Sequence, residues 1–213
     1  MLYSFYCEKY CSCNKFCPNN FSGCQCIDDC NSSESCPCLK ENRECNQDTC
    51  QQCFKKNQTK QCMNIDITLG RSKKTAVSKS LLCDGFGLFA LEPIKKNEFI
   101  CEYKGELISK RESDRRTVID GELGINYLFT LNKSTDIDAY RIGNEMRYVC
   151  HSSYGYENCT ITAKLIRGQT RIGLFAKRDI KALEELYFDY KLNTNVSWLE
   201  DYKRYYKHLN NDK

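Results

Sequence analysis

The stretch Arg171–Tyr190, RIGLFAKRDIKALEELYFDY, decides how the rest of the chain is read. Ile172, Leu174 and Ala176 alternate with polar neighbours, the pattern of a strand with one buried face. Leu186, Phe188 and Tyr190 repeat that alternation with aromatic weight, and Ile180–Glu185 reads as the turn between two strands. The segment thus carries aromatic side chains to an acidic residue and a final tyrosine, Phe188-Asp189-Tyr190. Aromatic strands are commonly core, so the surrounding sequence has to decide whether this one also forms a site.

A chain of 213 residues can bury one domain-sized core and a small satellite. Its 32 Lys and Arg against 28 Asp and Glu give a net charge of +4. The average hides a division: Met1–Cys53 carries 4 basic and 7 acidic residues, whereas Phe54–Lys79 carries 7 basic and 1 acidic. The basic character therefore sits in a connector. No run approaches about 18 apolar residues, and the start, MLYSFYCEKYC, lacks the apolar segment of a signal peptide. A soluble, intracellular protein with no membrane contact is expected.

Of 17 cysteines, 13 lie between Cys7 and Cys62; only Cys83, Cys101, Cys150 and Cys159 lie beyond. Such density means disulfides or metal. The tight pairs Cys11/Cys13, Cys24/Cys26 and Cys36/Cys38 are poorly spaced to bridge each other, and no secretory signal is present, so thiolate-bound zinc is favoured over a disulfide scaffold. Cys24, Cys26, Cys30, Cys36, Cys38, Cys45, Cys50, Cys53 and Cys62 are nine thiols, enough for three tetrahedral ions if three of them bridge. Cys7, Cys11, Cys13 and Cys17 supply one further ion. The two histidines, His151 and His208, are remote, and large apolar residues are scarce here, so metal binding supplies most of the folding free energy of this segment.

From Leu81 the chain reads as short strands: Leu88–Ile94, Phe99–Leu107, Asn126–Leu131, Asp136–Tyr140, Met146–Cys150 and Thr160–Ile166. Ser109–Ile119 is the one clear internal helix, with Ser109 as N-cap and Glu112 as its capping-box partner. Gly85-Phe86-Gly87 precedes the first strand. By itself G-x-G is most often a turn, although glycines also let main-chain groups approach a ligand. No long helix follows it, which disfavours a dinucleotide-binding or Rossmann methyltransferase fold. In the tail, Trp198, Leu199, Tyr202, Tyr206 and Leu209 recur at helical spacing, either as packing or, at Trp198 and Tyr202, as a lid.

These motifs fall in a recognisable order. CEKYCSC, GCQCIDDC, SCPCLKENREC and CQQC resemble the CXC, or pre-SET, zinc region of Enhancer-of-zeste proteins. From about Ser80 to Leu192 the chain resembles a SET methyltransferase, through GFGLFA, KNEFICEYKGELIS, SDRR, YLFTLN, DAYRIGN, CHS and ELYFDY. The fold implied is mainly β with few helices, small sheets around a knot-like core, with the zinc-cluster region in front. Expected divisions are a CXC region at 1–62, a basic connector at 63–80, a SET domain at 81–192 and a helical post-SET tail at 193–213.

The resemblance, closest to the Polycomb Enhancer-of-zeste family, implies methylation of a lysine on the histone H3 tail, position twenty-seven, from S-adenosylmethionine, in the nucleus. Gly85, Phe86, Gly87, Cys150 and His151 would bind the cofactor, together with Tyr190, which would also be the main catalytic tyrosine. Tyr103 and Phe188 would narrow the lysine channel, and Asp189 would orient the segment. Nucleosomes, DNA at the basic connector and Polycomb-type accessory subunits are the implied partners; a plain solvated linker is the other reading of the connector. The family has Asn where this chain has Cys150, which exchanges a two-way hydrogen-bonding amide for a weak thiol donor. The other function that remains is a chromatin-binding module with an inactive SET domain.

Overall fold

The computed structural model describes residues 6–7, 11–14, 16–27, 30, 35–54, 62–152 and 156–190. Lys55, Lys56 and Lys60 and the expected tail helix lie outside the described residues. The chain begins with thiols packed around one another, followed by a one-turn helix α1 (Pro37–Lys40), a 3₁₀ turn (Gln51–Phe54) and a second one-turn helix α2 (Asp66–Leu69). Cys24, Cys36, Cys38 and Cys50 are wholly excluded from solvent.

The half of the connector nearest the strands is folded. Strand β1 (Thr75–Lys79) pairs antiparallel along its whole length with β2 (Phe86–Ala90), and Lys73 forms an ion pair with Glu98 at 2.9 Å. The solvated-linker reading is therefore corrected for these residues: the Thr-Ala-Val run supplies a strand that basic flanks had concealed.

Three further small sheets follow. Strand β3 (Phe99–Glu102) pairs with β9 (Gln169–Ala176), which pairs with β8 (Cys159–Ile166). The β8–β9 hairpin turns on Arg167 (φ 49°) and Gly168 (φ 82°), two positive φ angles in a two-residue loop, as the twist of the strands requires. Strand β4 (Gly105–Ser109) pairs with β6 (Thr135–Gly143), and β6 with β5 (Leu128–Thr130). Helix α3 (Lys110–Gly121) starts at Ser109, whose hydroxyl accepts the Glu112 amide at 3.3 Å. The reciprocal half of the capping box differs, because the Glu112 carboxylate turns to Arg115 and Arg116 at 2.7–2.8 Å.

Two expectations need correction, and one pairing lies beyond what the sequence expressed. The run Phe99–Leu107 is two strands, broken at Tyr103-Lys104. Met146–Cys150 is a 3₁₀ turn (Glu145–Tyr148) leading into the short strand β7 (Cys150–His151); Met146 and Val149, three residues apart, are both buried, a helical rather than an alternating spacing. The strands of Arg171–Tyr190 do not pair with one another: β10 (Tyr187–Phe188) runs parallel to β7, while Ile180 and Glu185 form bridges to Ile94 and Phe89. Leu88, Ile94, Ile100, Leu174 and Leu186, all fully buried, form the core beneath this crossing.

The two parts are joined by buried polar contacts. The Glu44 carboxylate accepts the amides of Ile67 and Thr68 at 2.8 and 2.9 Å, capping α2. Asn64 donates to the Arg43 carbonyl at 2.8 Å and accepts from Lys164 at 2.5 Å, and that ammonium also lies 5.0 Å from the centre of the Phe175 ring. Burial pushes the Lys164 pKa down from the usual lysine range.

Candidate active site

The parallel pairing of β7 with β10 brings Cys150-His151 alongside Tyr187-Phe188 and sets the position of Tyr190. The Tyr190 amide donates to His151 Nδ1 at 3.0 Å, so that nitrogen carries no proton. Burial holds the His151 pKa below its ordinary 6.5, with Asp189 opposing from 3.9 Å. The Ser152 amide donates to the Phe188 carbonyl at 3.1 Å and completes the ladder.

Tyr190 is partly exposed as a residue, but its hydroxyl donates to the Val149 carbonyl at 2.6 Å. Tyr103 does the same toward the Tyr127 carbonyl, also at 2.6 Å. Burial raises both phenols far above ordinary tyrosine, so both remain protonated at neutral pH. Each oxygen then keeps lone pairs for a donor entering from outside. Phe188 stands 4.4 Å from Tyr190 between ring centres, and Tyr103 stands 5.6 Å from Phe129. A groove of about 680 Å³ runs between the edge strands β5 and β8, with Phe129, Ile161, Phe188 and Tyr190 in its wall and Glu41 in the lining contributed by the cysteine-rich part; Tyr103 stands behind Phe129, outside the lining. An extended peptide fits between two such edges.

On the other side of β7, Gly85 (φ 147°) has open space where a side chain would stand. The Phe86 ring beside it is 63% exposed and meets Tyr148 edge-on at 6.0 Å. An open main chain next to an exposed aromatic face fits a flat heteroaromatic group. Gly87 has a second reason to be glycine, since a Cβ there would run into the Glu185 carboxylate. Glu185 is buried and accepts the Ser80 hydroxyl at 2.6 Å and the Leu81 amide at 2.8 Å. Cys150 donates its thiol to the Phe86 carbonyl at 3.4 Å.

Several residues that shape the site were missed in the sequence. Asn144 donates to the Glu102 carbonyl at 2.8 Å and accepts the Lys104 amide at 3.1 Å, bracketing Tyr103 from both sides. Asn158 donates to the Glu185 carbonyl at 2.7 Å and accepts the Tyr187 amide at 2.8 Å, which anchors β10. Arg116 binds Glu106, Glu112 and the buried Asp138 at 2.6–2.9 Å. A charged residue within an otherwise buried strand was the available signal for Asp138.

None of the 17 cysteines is joined to another by a disulfide. Three groups of four have sulfurs within 4.8 Å of one another: Cys24/Cys36/Cys38/Cys45, Cys24/Cys26/Cys30/Cys36 and Cys24/Cys30/Cys45/Cys53. Cys38 touches Cys50 at 3.5 Å, and the Cys62 thiol interacts with those of Cys30 and Cys45, so all nine expected ligands come together. Burial pushes Cys26 up to about 11 and raises Cys53 as well. An all-thiolate donor set of this density fits zinc. Cys7, Cys13 and Cys17 form a separate trio within 4.8 Å; the exposed Cys11 is not part of it.

Residues 85–191 match the SET domain and residues 23–55 the CXC domain. The chain is 43% identical over 194 residues to the histone-lysine N-methyltransferase MEDEA of Arabidopsis thaliana, covering 86% of this chain and 28% of that protein. It is 36% identical over 197 residues to the histone-lysine N-methyltransferase EZ3 of Zea mays, covering 87% and 22%. The chain thus spans about a quarter of the length of the curated relatives it matches. Among solved structures it resembles the Chaetomium thermophilum Polycomb repressive complex 2 (TM-score 0.81, 34% identity, 90% of this chain and 27% of that one). It also resembles ctPRC2 in an autoinhibited conformation bound to S-adenosylmethionine (TM-score 0.81, 32% identity, 93% and 27%).

Proposed function

The chain belongs to the SET-domain family, with a CXC domain ahead of it, and from that premise we propose that it methylates a lysine of the histone H3 tail, lysine twenty-seven, within chromatin. The observation that carries this reading is the pair of inward phenols, Tyr190 and Tyr103, the first of them in the wall of an aromatic groove between the edge strands β5 and β8. A ctPRC2 structure in complex with H3K27me3 and H3K27M, similar at TM-score 0.81 and 33% identity, supports the choice of substrate.

In this reading S-adenosylmethionine, when bound, supplies an electrophilic methyl group on a sulfonium. Gly85 and Phe86 border its seat, with Gly87, Cys150 and His151 behind them. Phe188, Tyr103 and Tyr190 wrap the lysine side chain and exclude water, which lowers the pKa of an amine that is about 10.4 in water. The two phenol oxygens accept from the nitrogen and hold its lone pair in line with the incoming carbon. Asn144 and His151 act as positioning residues, the first fixing the backbone around Tyr103 and the second holding the amide of Tyr190.

We assign residues 1–62 to the zinc region, 63–80 to the connector, 81–192 to the catalytic domain and 193–213 to the tail. Cys24, Cys26, Cys30, Cys36, Cys38, Cys45, Cys50, Cys53 and Cys62 hold three structural zinc ions. Cys7, Cys13 and Cys17 hold one more, and Cys11, outside their trio, would have to close on it as the fourth ligand. A nuclear location, nucleosomal DNA along the connector and Polycomb-type accessory subunits complete the proposal. The test is transfer of label from S-adenosylmethionine to nucleosomes, with Tyr190→Phe alongside. Label on H3 that falls at least 100-fold in the variant supports the enzyme. Cofactor binding without label, in the presence of accessory subunits, would refute it, and absence of cofactor binding would favour an inactive chromatin-binding module.

A further inference from the structure

Cys83 and Cys150 lie outside the metal-binding cluster, 67 residues apart in sequence, and the fold brings them together around Ser80, where their thiols interact. Both are partly exposed. They also share Ser80, whose hydroxyl oxygen accepts the Cys83 amide at 3.0 Å and lies 3.7 Å from Cys150 Sγ. Cys150 belongs to a strand held by β10, whereas Cys83 sits in the turn between β1 and β2, outside any regular element. One sulfur is therefore carried by a strand and the other by a loop, and the bond needs the two α-carbons to lie within about 7 Å. The interaction with Cys150 holds the Cys83 thiol below the ordinary cysteine range, while Cys150 is raised by the same contact. A nucleophilic sulfur and a resolving sulfur thus stand side by side.

We propose that Cys83 and Cys150 are a peroxide-sensitive dithiol that closes to a disulfide at the edge of the proposed cofactor seat. Cys83 attacks one oxygen of hydrogen peroxide, the O–O bond breaks, and the departing hydroxide leaves as water with the Cys83 proton. Cys150 then attacks the resulting sulfenic sulfur, the S–O bond breaks, and a second water leaves with the Cys150 proton. Two thiols and one peroxide give one disulfide and two waters. Closure withdraws the Cys150 thiol from the Phe86 carbonyl and ties the Gly85 turn to β7. This second effect rests on the cofactor reading; formation of the bond does not.

The test uses the zinc-loaded full chain treated with a small molar excess of peroxide, followed by peptide mapping and zinc analysis. The expected result is a Cys83–Cys150 cross-linked peptide, reversed by dithiothreitol, absent in Cys83→Ser, and formed before zinc is released. Peroxide that releases zinc or carries Cys83 to a sulfinic acid without the cross-link overturns the proposal. Calorimetry with S-adenosylmethionine should show at least a 10-fold loss of affinity on oxidation, restored by reductant. Equal affinity in both states would overturn the coupling to the cofactor, whereas no binding by the reduced chain would count against the function proposed above and leave the cross-link to stand or fall on the mapping.

Discussion

The molecule holds two interiors that exclude water equally well by different means. Cys24, Cys36, Cys38 and Cys50 are as buried as Leu88, Ile100, Leu174 and Leu186. The aliphatic side chains are driven inward by the loss of apolar surface, which needs no partner beyond close packing. The sulfurs gain little that way, and each neighbour opposes ionisation of the next, so their packing makes sense only with cations among them. One interior depends on shape and the other on stoichiometry. They meet at a seam of buried polar groups, Glu44, Asn64 and Lys164, where neither chemistry operates alone.

The largest expected effect comes from removing the metal. Chelation should unfold the cysteine-rich part, since each structural zinc contributes on the order of 10 kcal/mol in small domains, and should weaken the β-rich part only through the seam. Hydrogen exchange would show protection lost at residues 23–54 and retained in β8 and β9; uniform loss would mean that the two interiors form one cooperative unit. Leu174→Ala comes next. About 2–5 kcal/mol of stability should vanish with zinc stoichiometry unchanged, as read by chemical denaturation and metal analysis. Asn64→Ala should cost roughly 1–3 kcal/mol by leaving the Lys164 ammonium and the Arg43 carbonyl without this partner. Combined with Leu174→Ala, a sum that fails to add would show that the seam transmits strain between the interiors.

The smallest effect is the pH response of His151. Its folded pKa lies below its unfolded value of 6.5, so its contribution is fully present above 6.5 and is lost as the pH falls through the folded value. Protonation at Nδ1 would also remove the acceptor of the Tyr190 amide. Cofactor affinity should decline below pH 6.5 in the native chain and stay flatter in His151→Gln.

Local rules made part of this legible from sequence. Ser109 starts α3 because a hydroxyl at that place caps a helix whatever surrounds it. The cysteine spacing carried its own meaning for the same reason, and the ordered motifs carried the rest of the fold. What escaped depends on contacts between distant segments. Nothing in the composition around Asn144 reveals that its amide holds the backbone on both sides of Tyr103, 41 positions earlier. Strand β10 does not keep the expected alternation, since Tyr187 is buried next to Leu186 while Tyr190 is exposed, and its partner is β7 rather than β9; periodicity says nothing about which neighbour lies alongside. Gly87 drew attention as a ligand-contacting glycine, and the side chain it makes room for belongs to Glu185.

That last contact has a consequence for how the protein is made. Ser80 and Glu185 are 105 residues apart, so the carboxylate that fixes the turn before β2 is among the later parts of the domain to leave the ribosome. At about 5–20 residues per second, the early half of the site waits roughly 5–20 seconds for its anchor. During that interval Phe86 and the thiol of Cys83 belong to a nascent segment whose fastening does not yet exist. Delays in translation between these two points therefore bear on the yield of folded protein more than delays within the β8–β9 hairpin, whose partners emerge together.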